Sequence, residues 1–305
     1  SEVVPMKNTA LIAGLCLLLP ACVINADKYP RPRDLTPAWK TPSLRILAIQ
    51  AEPPEIQPGE DATFTALFAD PEGEAGGTLW VACSPEETTP FGCAIDLSIL
   101  SEDATPDDLA DAGVIGFEPT FPPEWTAPQD ALDSLDDQDR AEGLGFTVQA
   151  TVLPPDGADP DAEFDFATFE SGYKRIIVSE APTPNDNPII ESFSVDGVLI
   201  GPDDTAEVDA GQSYELGVVI PDTTIQTYEY INPDGVLEER IEEPFVSWYA
   251  TEGSAMEATT LYPFTQSDWT APDLQEEVGF WYAVVRDRRG GVSWIVRQWR
   301  VRSAP

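Results

Sequence analysis

Clustered carboxylates are the first place to look for a cation site. Asp156, Asp159, Asp161 and Glu163 fall in one short stretch. Clustered carboxylate oxygens suit calcium, a hard cation that takes oxygen ligands. Glu170 stands where the last ligand of a helix-flanked calcium loop would fall, but Phe164 occupies that loop's glycine position and no helices flank it. The stretch is therefore either a looser calcium site or a solvated acidic loop, and calcium is the one cofactor the sequence leaves open. Asp133, Asp136, Asp137, Asp139 and Glu142 form a second cluster, and helical spacing would put Asp133 and Asp137 on one face. It reads as solvated surface. Ser171-Gly172-Tyr173-Lys174 has the spacing of an acylating Ser/Lys pair, but the S-D-N and K-T-G elements of that chemistry are absent and the stretch reads as a strand. Nothing singles out a carboxylate pair for glycoside hydrolysis. With 0 histidines, Ser-His-Asp and Cys-His catalysis and His-ligated zinc are excluded. The expectation is a protein that is not an enzyme.

The cations are the second candidates. Arg286, Arg288, Arg289, Arg297, Arg300 and Arg302 gather near the C-terminus. They either pair with neighbouring carboxylates or form a basic stripe for an acidic partner. Arg288, Arg300 and Arg302, with Tyr228 and Tyr230 on a hairpin, are the candidate binding surface, because loops on a rigid scaffold usually carry function.

Charge narrows the partners. The 305 residues hold 55 acidic against 16 basic side chains, a net charge of −39. Such a surface repels nucleic acid and anionic lipid, so a nucleic-acid role is excluded. Self-repulsion also costs stability, and salt screens it. The acidity reads either as adaptation to salt or as local cation binding.

At the start of the chain, Met6-Lys7 precedes an apolar run over 10–19 and then Leu19-Pro20-Ala21-Cys22. This has the layout of a secretory signal peptide over 1–21, with Ser1 to Pro5 read as an over-extended start. The small residue before Cys resembles the lipobox of bacterial lipoproteins. That resemblance implies cleavage before Cys22, a diacylglycerol on its sulfur and an acyl chain on its amino group. Multiple acyl chains give lasting membrane attachment where one does not. Val23 stands where an Asp would favour the inner membrane in that family, so the expected location is the outer membrane of the cell envelope. The alternative is an ordinary signal peptide cut at Ala21, with a free thiol. Cys16 leaves with the leader and Cys22 takes lipid, so Cys83 and Cys93 remain to pair in an oxidising compartment.

These residues need elements to hold them. Residues 22–42 carry prolines at 30, 32, 37 and 42 and read as a semi-rigid tether. Alternating patterns then predict strands over 44–51, 62–68, 79–83, 146–152 and up to 178, with a helix over 129–141. Residues 84–124 read as irregular, apart from a short helix over 106–112. Residues 181–187 form a linker, and strands follow over 189–195, 214–220, 227–231, 236–241, 245–250, 280–287 and 292–302. Two signatures recur in order. Trp80-Val81-Ala82-Cys83 matches Trp248-Tyr249-Ala250-Thr251, and Trp125-Thr126-Ala127-Pro128 matches Trp269-Thr270-Ala271-Pro272. This duplication divides the chain into domains over 43–180 and 188–305. Each unit resembles the immunoglobulin-like and PKD-like domains of exported bacterial proteins. The resemblance implies an all-β protein of two tandem antiparallel sandwiches, with the Trp of each third strand packed between sheets. In domain 2, Asp287-Arg288-Arg289-Gly290-Gly291 closes that pattern.

Address and fold together imply a lipid-anchored, non-enzymatic binding or assembly module with an envelope protein or a glycan as partner. The alternative is a calcium- or carbohydrate-binding surface protein, or a hydrolase with a carboxylate site.

Overall fold

A computed structural model describes residues 36–73, 75–89, 92–93, 109, 112–153, 170–232, 235–254, 256–273 and 277–302. The lipobox and Cys22, and the acidic stretch with Asp156, Asp159, Asp161 and Glu163, lie outside them.

The chain is all-β, and its first sandwich has two sheets. One orders β1 (Arg45–Glu52), β3 (Asp61–Ala69) and β8 (Glu124–Thr126). The other orders β2 (Glu55–Ile56), β10 (Glu170–Val178), β9 (Leu144–Leu153), β4 (Gly77–Cys83) and β7 (Val114–Glu118). The second sandwich repeats the plan. Its sheets order β12 (Val198–Leu199), β11 (Ser192–Val195), β14 (Ser213–Val219), β19 (Gln266–Thr270), and β13 (Thr205–Val208), β21 (Val292–Val301), β20 (Val278–Arg286), β17 (Phe245–Ala250), β18 (Thr259–Leu261). In both, the last strand takes a parallel partner, β2 on β10 and β13 on β21, while the other neighbours run antiparallel. This is the immunoglobulin-like arrangement.

The repeat holds at the level of single bonds. Trp125 faces Ala62, three residues after Gly59, and Trp269 faces Tyr214, three residues after Gly211. Both glycines have positive φ, +81° and +68°, a conformation that favours glycine. Ala127 N–H donates to Glu60 O at 2.9 Å, and Ala271 N–H to Gln212 O at 2.9 Å. Trp80 and Trp248 each face an alanine, Ala150 and Ala283, and both are fully buried. Each indole finds an acceptor on the neighbouring strand: Glu118 Oε2 at 3.0 Å and Thr260 Oγ1 at 2.9 Å.

Three expectations need correcting. The stretch 84–124 is not wholly irregular, since β7 lies in it, along with a hairpin of β5 (Thr88–Thr89) and β6 (Gly92–Cys93). The disulfide Cys83–Cys93, with a Cα–Cα distance of 5.7 Å, ties that hairpin over β9. Consequently β9 alternates in sequence but is buried on both faces. Its outward Gln149 accepts from Cys93 N–H at 2.9 Å, and Thr147 from Thr88 at 3.1 Å. The helix expected over 129–141 is only α1 (Asp137–Glu142). Asp136 caps it, its Oδ1 accepting from the N–H groups of Gln138 and Asp139 at 3.0 Å. A capping aspartate favours the helix start over the helix interior, so the pattern before it resolves into turns. Asp133 therefore lies outside the helix, while Asp137 and Asp139 sit in its first turn, where the dipole favours them.

The tether also ends earlier than residue 42. Trp39 is buried in the core of the second sandwich. Ala250 N–H donates to Trp39 O and Thr41 N–H to Ala250 O, both at 3.0 Å. The chain thus fastens to the second sandwich before entering β1 of the first.

The two sandwiches share a dry seam. Leu47, Ala48, Leu67 and Ala69 pack on Tyr282, Val284 and Val292. This explains the unbroken apolar run Trp281 to Val285, which is buried on both faces. The run lacks the alternation of a half-exposed strand, and that was the sequence sign of the seam.

Candidate functional site

Beside the seam lies a polar junction built from both sandwiches and the linker. Arg289, in the β20–β21 turn, reaches Glu242 at 3.1 Å and Glu55 at 3.5 Å, and donates to Gln226 Oε1 at 2.9 Å. Its guanidinium lies 4.4 Å from the Tyr228 ring centroid. Glu55 also accepts from Asn185 N–H at 2.7 Å and from Ser179 Oγ at 2.5 Å. Burial raises the Glu242 carboxyl above its ordinary value, opposed by hydrogen bonds from Gln226 and Arg289.

Asp287 organises the turn. Its Oδ1 accepts from the N–H groups of Arg289, Gly290 and Gly291 at 2.7, 2.9 and 2.9 Å, and its Oδ2 from Asn185 Nδ2 at 2.9 Å. Asn187 joins the sandwiches by donating to Ala51 O at 2.7 Å and accepting from Val292 N–H at 2.8 Å. The linker is thus part of the packed junction. Lys174 donates to Gly290 O across it. Burial pushes the Lys174 ammonium down to about 8, against the attraction of Asp287 and with the repulsion of Arg286.

Two grooves open on this junction. One, of about 480 Å³, is walled by Tyr228 and Tyr230 of β15 (Thr227–Ile231), Leu237 of β16 (Leu237–Ile241), and Arg288 and Arg289. Arg240 stacks over Tyr230 at 3.7 Å while pairing with Glu238 at 2.9 Å. The other, of about 410 Å³, runs between β1, β10 and the β20–β21 turn. Arg175 and Arg288 line both.

The structure thus brings Tyr228, Tyr230 and Arg288 into one groove, and leaves Arg300 and Arg302 elsewhere. Those two sit at the end of β21, where Arg302 pairs with Asp209 at 3.3 Å and donates to Glu207 O at 3.2 Å. Arg175 and Lys174 were not read as binding residues. Their signal was indirect: adjacent cations on a strand of a strongly acidic chain. The Ser171–Lys174 spacing belongs to β10, where Ser171 Oγ bonds Thr151 Oγ1 at 3.0 Å. Among the described residues, no group of three or more His, Cys, Asp or Glu side chains could hold a metal ion. No described helix is long and apolar enough to cross a membrane.

No family model and no curated protein matches the chain. Among solved structures it is similar to the fibronectin(III)-like modules of CbhA from Clostridium thermocellum, at 8% identity and a TM-score of 0.24, covering 84% of this chain and 94% of that one. It is also similar to murine CEACAM1b, at 10% identity and a TM-score of 0.24, covering 85% of this chain and all of that one. Overlaps this loose carry no argument, and the immunoglobulin-like assignment stands on strand order and register.

Proposed function

We propose that this protein is a lipid-anchored component of the cell envelope, held at the outer membrane through Cys22, whose two sandwiches act together as a non-enzymatic binding or assembly module. One observation carries the binding half: a groove walled by Tyr228, Tyr230, Leu237, Arg288 and Arg289 on a junction where both sandwiches and the linker are locked. Tyrosine and arginine are the side chains most enriched where protein partners are gripped. Fixing the two sandwiches in advance lowers the ordering cost of binding. Leu237 is 58% exposed there, an apolar group offered to solvent. The anchoring half rests on Leu19-Pro20-Ala21-Cys22 after its apolar run.

Two measurements test the two halves separately. Mass spectrometry of the mature protein from its own cells should find an N-terminal Cys22 carrying acyl chains, and an unmodified or uncut N-terminus ends the anchoring claim. A photo-crosslinker at position 237 should trap one discrete envelope partner. A smear of adducts, or the same adducts from a crosslinker at position 199 on β12, ends the binding claim.

A further inference from the structure

The second groove points to a ligand class. We propose that the cleft between β1, β10 and the β20–β21 turn binds an acidic peptide segment whose carboxylates are interleaved with apolar side chains. This deepens the reading of the protein as a binding module and rests on it.

Charge is the first argument. The chain has 16 basic residues and a net charge of −39, yet Lys174, Arg175, Arg286 and Arg288 all line this one cleft and, among the described residues, no acidic side chain does. Among the described residues, no ion pair joins Lys174, Arg175 or Arg286 to a carboxylate. Arg286 is held by neutral oxygens, donating to Ser247 Oγ at 3.0 Å and Leu47 O at 2.9 Å. Lys174 is held by the Gly290 carbonyl. Asp287 lies beneath them, but it is buried and its oxygens are already taken by backbone N–H groups and Asn185. Arg288 meets Glu243 at 3.2 Å at the rim, where the side chains are 51% and 77% exposed. An exposed pair of this kind exchanges readily with another carboxylate.

The floor is the second argument. Ile46, Leu47, Ala48, Ile49, Phe245 and Val292 make it apolar. A glycan would need acceptors for its hydroxyls and a flat aromatic platform. Among the described residues the lining has no Asp, Glu, Asn or Gln; its tyrosine, Tyr173, stands out at the rim, 65% exposed, and Arg288 lies over the Phe245 ring, 5.9 Å from its centroid. A peptide alternating carboxylate and aliphatic side chains meets both surfaces at once. A long polyanion such as nucleic acid meets the same cations, but the acidic body around them repels it along its length.

The geometry also fixes the mode of docking. Among the described strands, β1 is an edge strand paired only with β3, which ordinarily invites a partner strand. Here side chains already close that edge: Glu170 Oε1 accepts from Ile46 N–H at 3.0 Å, Arg286 serves Leu47 O, and Asn187 serves Ala51 O. The peptide is therefore gripped by side chains and is not added to the sheet.

Fluorescence anisotropy of the full mature protein in detergent tests this, using a labelled peptide of alternating Glu and Leu. The expected result is saturable binding that weakens at least about tenfold in the double variant Arg175→Ala/Arg288→Ala. Both side chains are exposed, and an unchanged far-UV spectrum checks that the variant folds. Arg302→Ala, remote from the cleft, should leave binding intact. Failure of the peptide to bind, or equal affinity in the double variant, overturns the proposal. So does equal or tighter binding of an oligogalacturonate or of a Lys/Leu peptide. A lipidated Cys22 and a discrete crosslink from position 237, found alongside such a failure, would leave the general reading standing and remove only this ligand.

Discussion

The second sandwich packs Trp248, Trp269, Trp281, Trp299 and Phe193 into one core and takes in Trp39 from outside, whereas the first keeps one fully buried tryptophan, Trp80. The indoles of the second interlock. Trp269 stands edge-on to Trp281 at 4.9 Å and tilts against Trp299 at 5.2 Å. Gly279, opposite Trp299, leaves room for it, since a Cβ there would lie 2.3 Å from the ring. In the first sandwich Trp125, the equivalent of Trp269, is only half-buried against Phe146, and the Cys83–Cys93 bridge supplies a covalent tie. Apart from the added β12, the strand order is nevertheless the same, and so is the pairing of the repeated tryptophans. The plan is therefore set by alternation, turn glycines and a few paired positions, while the means of stabilising it are free to differ. The denser core has a cost: among the described residues, the Nε1 groups of Trp281 and Trp299 are buried without an acceptor.

Removing the paired tryptophans should separate the two cores most clearly. Trp269→Ala should destabilise by about 3–5 kcal/mol, the usual loss for a buried aromatic. Trp125→Ala, at the same place in the repeat, should lose roughly half that, because much of its surface is already wet. Denaturant unfolding measures both. Equal losses would mean that the two positions do the same work despite their different burial.

Next comes the coupling between the halves. Arg289→Ala would leave Glu55 and Glu242 buried without their cation, with side chains 9% and 2% exposed, a change that typically costs about 3–5 kcal/mol. The loss falls on the junction, so one unfolding transition should become two. Calorimetry would show it, and a single transition in the variant would mean that the apolar seam alone couples the sandwiches. Lys174 offers a milder probe of the same place. Its folded-state value of about 8 lies below the ordinary 10.5, so between these values the unfolded chain holds a proton that the folded chain has released. Stability should therefore rise with pH above 8, by up to about 3 kcal/mol, with the full penalty present below 8. Burial holds the Tyr282 hydroxyl up at about 12, so above 10 its slope runs the other way and the clean window is 8 to 10. Lys174→Met should flatten the rise, and an unchanged slope would place its origin elsewhere.

Much of the architecture was legible from the chain. The two Trp signatures mark equivalent strands because their spacing is local, and the structure adds Gly59 and Gly211, whose positive φ starts the matching strands. The strands read over 227–231 and 236–241 are the β15–β16 hairpin. What stayed hidden was long-range. Nothing near Trp39 says that it enters a core some two hundred residues on, and nothing near Lys174 says that Gly290 caps it. The site is half legible: the sequence points to Tyr228 and Tyr230 as hairpin residues and to Arg288 as one of the C-terminal arginines, but Arg175 joins them only through the packing of one sandwich on the other. Arg300 and Arg302 were grouped with them by proximity in sequence, which along β21 carries them to its far end.

A more local effect concerns the disulfide, which only the first sandwich has. The Cys83–Cys93 bridge closes a loop with a sequence separation of 10, and replacing both cysteines by serine should cost about 2–3 kcal/mol on the chain-entropy view. The flap it holds covers Thr147 and Gln149 on the outer face of β9, and its Cys93 packs with Leu79, Val81, Cys83 and Val114 in a small apolar cluster. Serines at 83 and 93 weaken that cluster, so the loss should run somewhat above the loop entropy alone. In an Arg289→Ala background, where the sandwiches unfold separately, the serine pair should lower only the first transition. Tryptophan fluorescence should report it through Trp80 and Trp125, less strongly than the second transition, because Trp39, Trp248, Trp269, Trp281 and Trp299 all pack in the second core. Movement of the second transition would show that the flap's support of β9 passes through β10 and Lys174 into the junction, and that the two halves are not independent even without Arg289.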